Sequence, residues 1–190
     1  MRCAAKHKTR GRGSWGAMLV LSALLFISAA ELCADSVLDG VIVVNGDFQR
    51  WDGDKPADWT IPTGVTVARN DRNEISLSNN SNERQYVNQS YPGVQLALQA
   101  GDMLWWSAEI MATEKSSVTL EIWVRYENES IGKREIAVPV PADGKWASVR
   151  CVLPIEEIPV KHVWFLIGLK TPGSACVVRR VEGRVLPAFE

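Results

Sequence analysis

Six residues in the second half of this 190-residue chain have types and spacing that could do chemistry: Trp105, Glu109, Glu121, Trp123, Arg125 and Trp164. An indole offers a flat apolar face and one N–H donor, while carboxylates and guanidinium groups bind hydroxyls. That mixture suits a polar, ring-shaped ligand such as a sugar. Two other chemistries compete. Carboxyl pairs about 5–9.5 Å apart can hydrolyse a glycosidic bond, and Glu109/Glu121 and Glu156/Glu157 are the available pairs. A flat sheet face does little to raise a carboxyl pKa, however, so neither pair makes a good general acid. His162 is the only histidine after His7, and no Ser or Cys nucleophile motif accompanies it. The stretch NGDFQRWDGDKPADWT, residues 45–60, gathers Asp47, Asp52, Asp54 and Asp58, oxygen donors of the kind that hold calcium.

These side chains are positioned by strands. Runs at 73–79, 84–91, 102–112, 117–128, 145–154, 162–170 and 175–186 are separated by turn-forming groups such as YPG, QAGD, TEKS, PADGK and KTPGS. No long stretch repeats with a helical period. Many short strands with regular turns predict an all-β antiparallel sandwich. Side chains alternate between the two faces of a strand. Leu104, Trp106, Ala108 and Ile110 therefore form one face, opposed by Met103, Trp105, Ser107, Glu109 and Met111. Val118, Leu120, Ile122 and Val124 oppose Thr119, Glu121, Trp123 and Arg125. Val163, Phe165, Ile167 and Leu169 point to the core, with His162, Trp164 and Lys170 outward. A hairpin centred on Glu114 would set Trp105 opposite Trp123 and Ser107 opposite Glu121, close enough for direct contact. Trp59, Trp106 and Trp146 are expected in the core and at the sandwich ends.

Composition narrows the class. Residues 1–16 carry Arg2, Lys6, Lys8, Arg10 and Arg12, and residues 17–30 are apolar apart from two serines. A basic stretch, a short apolar run and small residues at Ser28 and Ala30 predict a signal peptide over 1–34, cleaved near Ala30 or Ala34. The run is short for a membrane span of about 20 residues. Residues 35–190 form the expected single domain, secreted, periplasmic or on the cell surface. Removing 1–34 takes five basic residues and one acid from 21 Lys+Arg and 22 Asp+Glu, leaving 16 against 21, a net charge of −5. That balance argues against nucleic acid or an anionic membrane as partner. Asn79, Asn88 and Asn128 head N-x-S sequons.

Asn45-Gly46-Asp47-Phe48-Gln49, then Asp54-Lys55-Pro56-Ala57-Asp58-Trp59, then Gly101-Asp102-Met103-Leu104-Trp105-Trp106-Ser107 and Trp146 through Pro154 follow an ordered pattern. It resembles carbohydrate-binding modules of the cellulose- and xylan-binding kind, in the galactose-binding-like jelly-roll superfamily. The likeness runs over about residues 41–186. It implies a jelly-roll sandwich and non-catalytic binding of polysaccharide or glycoconjugate, with no enzymatic activity. It also implies one sheet of the strands around 75, 105, 121 and 165, with the strand around 165 beside the one around 105, and that one beside the strand around 121. Trp164, Trp105 and Trp123 would then line one outer face as stacking platforms, with Glu109, Glu121 and Arg125 on the hydroxyls. The alternative use of that face is protein binding, by a partner or a second copy, in a cell-envelope assembly domain. The family's paired acids in the last strand correspond to Arg179 and Arg180, so no cofactor is expected and the family's structural calcium is disfavoured. A guanidinium paired with an acid such as Asp47 is expected in its place. A strand between Cys151 and Cys176 implies free thiols, because two strand spacings exceed disulfide reach.

Overall fold

Alternating apolar and polar side chains build the sandwich strand by strand. The structure, a computed structural model, describes residues 40–113, 116–140, 144–156 and 158–188; the expected signal segment lies outside them. The strands are β1 (Trp51–Asp52), β2 (Lys55–Pro56), β3 (Val65–Arg69), β4 (Ile75–Asn79), β5 (Gln85–Pro92), β6 (Met103–Ala112), β7 (Val118–Tyr126), β8 (Ile131–Ala137), β9 (Ala147–Pro154), β10 (Val160–Leu169) and β11 (Ala175–Leu186). A single 3₁₀ turn, Gly93–Gln95, follows β5. One sheet has the order β5-β10-β7-β8 and the other β3-β4-β11-β6-β9, and every pairing within them is antiparallel.

The expected core parity holds in β6, β7 and β10. Leu104, Trp106 and Ile110 of β6, Leu120, Ile122 and Val124 of β7, and Val163, Phe165 and Ile167 of β10 are fully buried. An aromatic chain crosses the core: Phe48 meets Trp59 at 5.3 Å between ring centroids, Trp59 meets Trp106 at 6.2 Å, and Trp106 meets Phe165 at 5.3 Å. Phe48 and Trp59 thus anchor the opening stretch in the core. That stretch also docks on a bulge in β11, where the register slips between Arg179 and Glu182. Val181 N–H donates to Gly46 O at 3.0 Å. A Cβ on Gly46 would collide with the Val181 carbonyl, so only glycine allows this approach. The Asn45 side-chain amide donates to the carbonyls of Arg50 and Ala57, both at 2.8 Å, and closes the turn.

Two expectations about topology fail. β6 and β7 are not a hairpin: they lie in different sheets. The strand around 105 is flanked by β11 and β9, and the strand around 165 by β5 and β7. The expectation for the cysteines fares better. β6 lies between β9 and β11, and both thiols are free and buried. Burial raises the Cys151 pKa to about 11. Asn79 is buried, and its amide donates to Glu83 O at 2.8 Å and Leu169 O at 3.2 Å; this first sequon closes a loop and presents no free amide.

Candidate functional site

The pairing of β7 with β10 sets Trp123 directly opposite Trp164 on the outer side of the four-stranded sheet. Both indoles are half-buried. Tyr86, from β5, meets Trp123 edge-on at 5.2 Å, and His162 lies against Trp164 at 4.4 Å. Partial burial lowers the His162 pKa. The Lys133 ammonium, from β8, sits 4.8 Å from the Trp123 ring centroid, a distance at which the ring face attracts a cation. Asn88 of β5 and Glu135 of β8 lie one register step away, in the row of Leu166 and Glu121.

Under this surface lies a carboxylate with no exposed area. Glu121 Oε1 accepts from Thr119 Oγ1 at 2.6 Å and lies 2.5 Å from Lys170 Nζ. Its Oε2 accepts from Trp123 Nε1 at 2.8 Å and lies 3.2 Å from Lys133 Nζ. Glu135 closes the network, 2.9 Å from Lys170 and 3.1 Å from Lys133. Burial works to raise the Glu121 pKa, but hydrogen bonds from Lys170, Thr119 and Trp123 outweigh it and leave it below the ordinary value. The Lys170 bond likewise holds Glu135 low. A carboxylate offers about four acceptor positions, and four donors surround this one. Glu121 therefore orients the Trp123 indole and has no acceptor left for a ligand hydroxyl, contrary to its expected role.

A glycine makes room for that carboxylate. A Cβ on Gly168 of β10 would stand 2.9 Å from Glu121 Oε1 and 3.2 Å from the Tyr86 ring. Arg125 stays on this face, at the end of β7 beside His162. It is ion-paired with Glu129, which also lies 2.5 Å from Lys161 Nζ. The hydrogen bond from Lys161 and the charges of both cations hold the Glu129 pKa low.

Trp105 and Glu109 are on the other side of the molecule. Both project from the outer face of the five-stranded sheet, on β6. The expected row of three tryptophans is therefore a pair, and Glu109 and Glu121 cannot flank one scissile bond. Glu109 is held instead by Arg179 Nε at 2.6 Å and Arg180 at 2.8 Å. Arg179 also reaches Glu74 at 3.2 Å and lies over the Trp146 ring at 4.0 Å. Hydrogen bonds, that from Arg179 first, lower the Glu109 pKa. The guanidinium partners are thus Glu109 and Glu74 rather than the expected Asp47. A shallow depression of about 270 Å³ is lined by Asp47, Asn73 and Glu74 together with Arg72, Arg179 and Arg180. Three guanidinium groups do not suit a divalent cation. Among the described residues, no cluster of three or more His, Cys, Asp or Glu is placed to hold a metal.

Sequence reasoning missed Lys133 and Glu135 because β8, IGKREIA, is an edge strand with hardly a buried side chain and so shows no alternation. Tyr86 was available by parity, being next to the fully buried Val87.

No protein-family model matches the chain, and no curated protein matches it in sequence. Solved structures match its fold. The enzymatically active domain of bacteriophage CBA120 tailspike protein 4 superposes with a TM-score of 0.58 at 14% identity, over 77% of this chain and 22% of that one. The N-terminal CBM22-1–CBM22-2 tandem domain of Paenibacillus barcinonensis Xyn10C gives 0.56 at 14% identity, over 79% of this chain and 46% of that one. A CBM4 structure gives 0.52 at 12% identity, over 76% of this chain and 99% of that one. The neighbours are mostly carbohydrate-binding modules, and the chain has their β-sandwich fold. Among the described residues, no helix is long and apolar enough to cross a membrane.

Proposed function

We propose that this protein binds polysaccharide or glycoconjugate without catalysis, outside the cytoplasm, through Trp123 and Trp164. The observation that carries the reading is the direct cross-strand pairing of these two indoles on one outer sheet face. Two adjacent aromatic faces can take successive sugar rings, and Lys133, Glu135, Arg125 and Asn88 supply polar contacts around them. Each stack contributes about 0.5–1.5 kcal/mol beyond area burial, which suits a modest affinity. The likeness in fold to carbohydrate-binding modules supports the ligand class, and the signal-like residues 1–34 support export. Glu121, ionised and saturated by its four donors, has no proton to give, which favours binding without turnover.

The test is a titration of the purified protein against xylan, cellulose and β-glucan, followed by tryptophan fluorescence and affinity electrophoresis. Trp123→Ala is expected to weaken binding about tenfold or more, the equivalent of one lost stack and its buried area, with unchanged circular dichroism. Absence of any glycan binding by the wild-type protein would sink the reading.

A further inference from the structure

The face opposite the tryptophan pair carries an aromatic of its own, with a different kind of neighbour. Trp105 projects from β6, directly opposite Arg184 of β11 on one side and Val152 of β9 on the other. The Arg184 guanidinium carbon is 5.8 Å from the Trp105 ring centroid, and that of Arg150 is 5.7 Å away. Val152 is 36% exposed, so the patch is open to solvent.

Charge separates this patch from the other face. On the four-stranded sheet, Lys133 and Lys170 are ion-paired with Glu121 and Glu135, and Arg125 and Lys161 with Glu129. On the five-stranded sheet, Glu109 is shared by Arg179 and Arg180, and Arg184 has Glu182 at 3.2 Å. Arg150 has no carboxylate within ion-pair distance among the described residues and lies over the Trp105 ring. The outer side of this sheet thus carries Arg150, Arg179, Arg180 and Arg184 against Glu74, Glu109 and Glu182, and among these arginines it is Arg150, at Trp105, that has no carboxylate. A guanidinium without a carboxylate, set against an indole beside a second arginine, marks a place for an anion.

We propose that Trp105, Arg150 and Arg184 form a second ligand face, which takes the anionic group of an acidic polysaccharide, a uronate carboxylate or a sugar sulfate. A guanidinium laid against an aromatic ring loses less freedom on binding and keeps a fork of N–H donors for a carboxylate or sulfate. Such charge-assisted bidentate bonds are about twice as strong as neutral ones. The proposal stands apart from the Trp123–Trp164 platform and does not need that reading to hold.

The experiment measures binding of the purified protein to polygalacturonate, to dextran sulfate and to neutral dextran by calorimetry at low and high salt. Binding to at least one of the two anionic polymers is expected, and which of them binds identifies the anionic group. Arg150→Gln should weaken it about fivefold or more, as should Trp105→Ala, while Trp123→Ala leaves it unchanged. Raising the salt to about 0.5 M should remove most of it, because the site is exposed and screened. No binding to either anionic polymer at low salt, equal binding to neutral dextran, or full binding by Arg150→Gln would each overturn the proposal.

Discussion

The two outer faces of the sandwich use the same ingredients in opposite ways. Each has tryptophan, glutamate and basic side chains. On the four-stranded sheet the glutamate lies beneath the aromatic and accepts its N–H bond, so Glu121 orients Trp123. On the five-stranded sheet Glu109 lies four residues along β6 from Trp105 and ties down the β11 bulge through Arg179 and Arg180. Trp105 is left with two guanidinium groups and Val152 beside it. A buried carboxylate with every acceptor position used makes a rigid platform for neutral rings. A half-buried indole between arginines makes a patch whose chemistry is charge.

The sharpest way to break this contrast is Glu121→Gln. It leaves Lys170, whose side chain is 7% exposed, with Glu135 as its remaining anion. Breaking a buried pair by removing one partner's charge costs about 3–5 kcal/mol, so urea unfolding should show a loss near the lower end of that range. Glycan binding should fall with it, since the Trp123 indole loses its charged acceptor. The parallel change Glu109→Gln should cost less than half as much, because its arginine partners remain solvated. Equal losses in the two variants would erase the distinction between the faces.

A smaller effect is expected at Gly168. The new methyl of Gly168→Ala would crowd the Glu121 carboxylate and the Tyr86 ring. Overpacking of this kind costs about 1–3 kcal/mol. The measurement is thermal unfolding with a glycan titration beside it, and a variant as stable as wild type would show that the network has slack.

The smallest effect is on the acid limb of stability. The folded-state pKa of Glu121 lies below its ordinary value of 4.5. The stabilisation is therefore fully present above that value and is lost as pH falls through the lower folded value. Glu135 and Glu109 act in the same direction. Glu121→Gln should flatten the fall in stability at low pH more than Glu109→Gln does, read as the midpoint of acid unfolding. A reversed order would contradict the assignment of Glu121 as the buried member.

Much of the architecture was legible from residue order. The inward sets of β6, β7 and β10 follow from alternation, which is a local property of extended chain. The core place of Trp59 was legible from the residues, and the strand between the two cysteines through the resemblance. The site was legible in part. Trp123, Trp164 and Arg125 share a face, but Trp105 and Glu109 do not join them. Parity says on which side of its own strand a residue lies, and nothing about which sheet the strand enters. Residues 103–112 and 118–126 have the lengths and spacing of a hairpin, yet the two strands belong to different sheets.

By itself, then, the sequence determined the all-β class, the core face of each long strand, and the presence of outward tryptophans beside charged groups. These depend on interactions within a few residues of one another. Only the tertiary structure decided that Trp123 pairs with Trp164, that Trp105 lies on the far side from them, and that Glu121 is buried beneath Trp123. Those outcomes depend on β5, β8 and β10 closing around the carboxylate. They bring Tyr86, Lys133, Gly168 and Lys170 to Glu121 from up to 49 residues away, a distance along the chain that no local pattern spans.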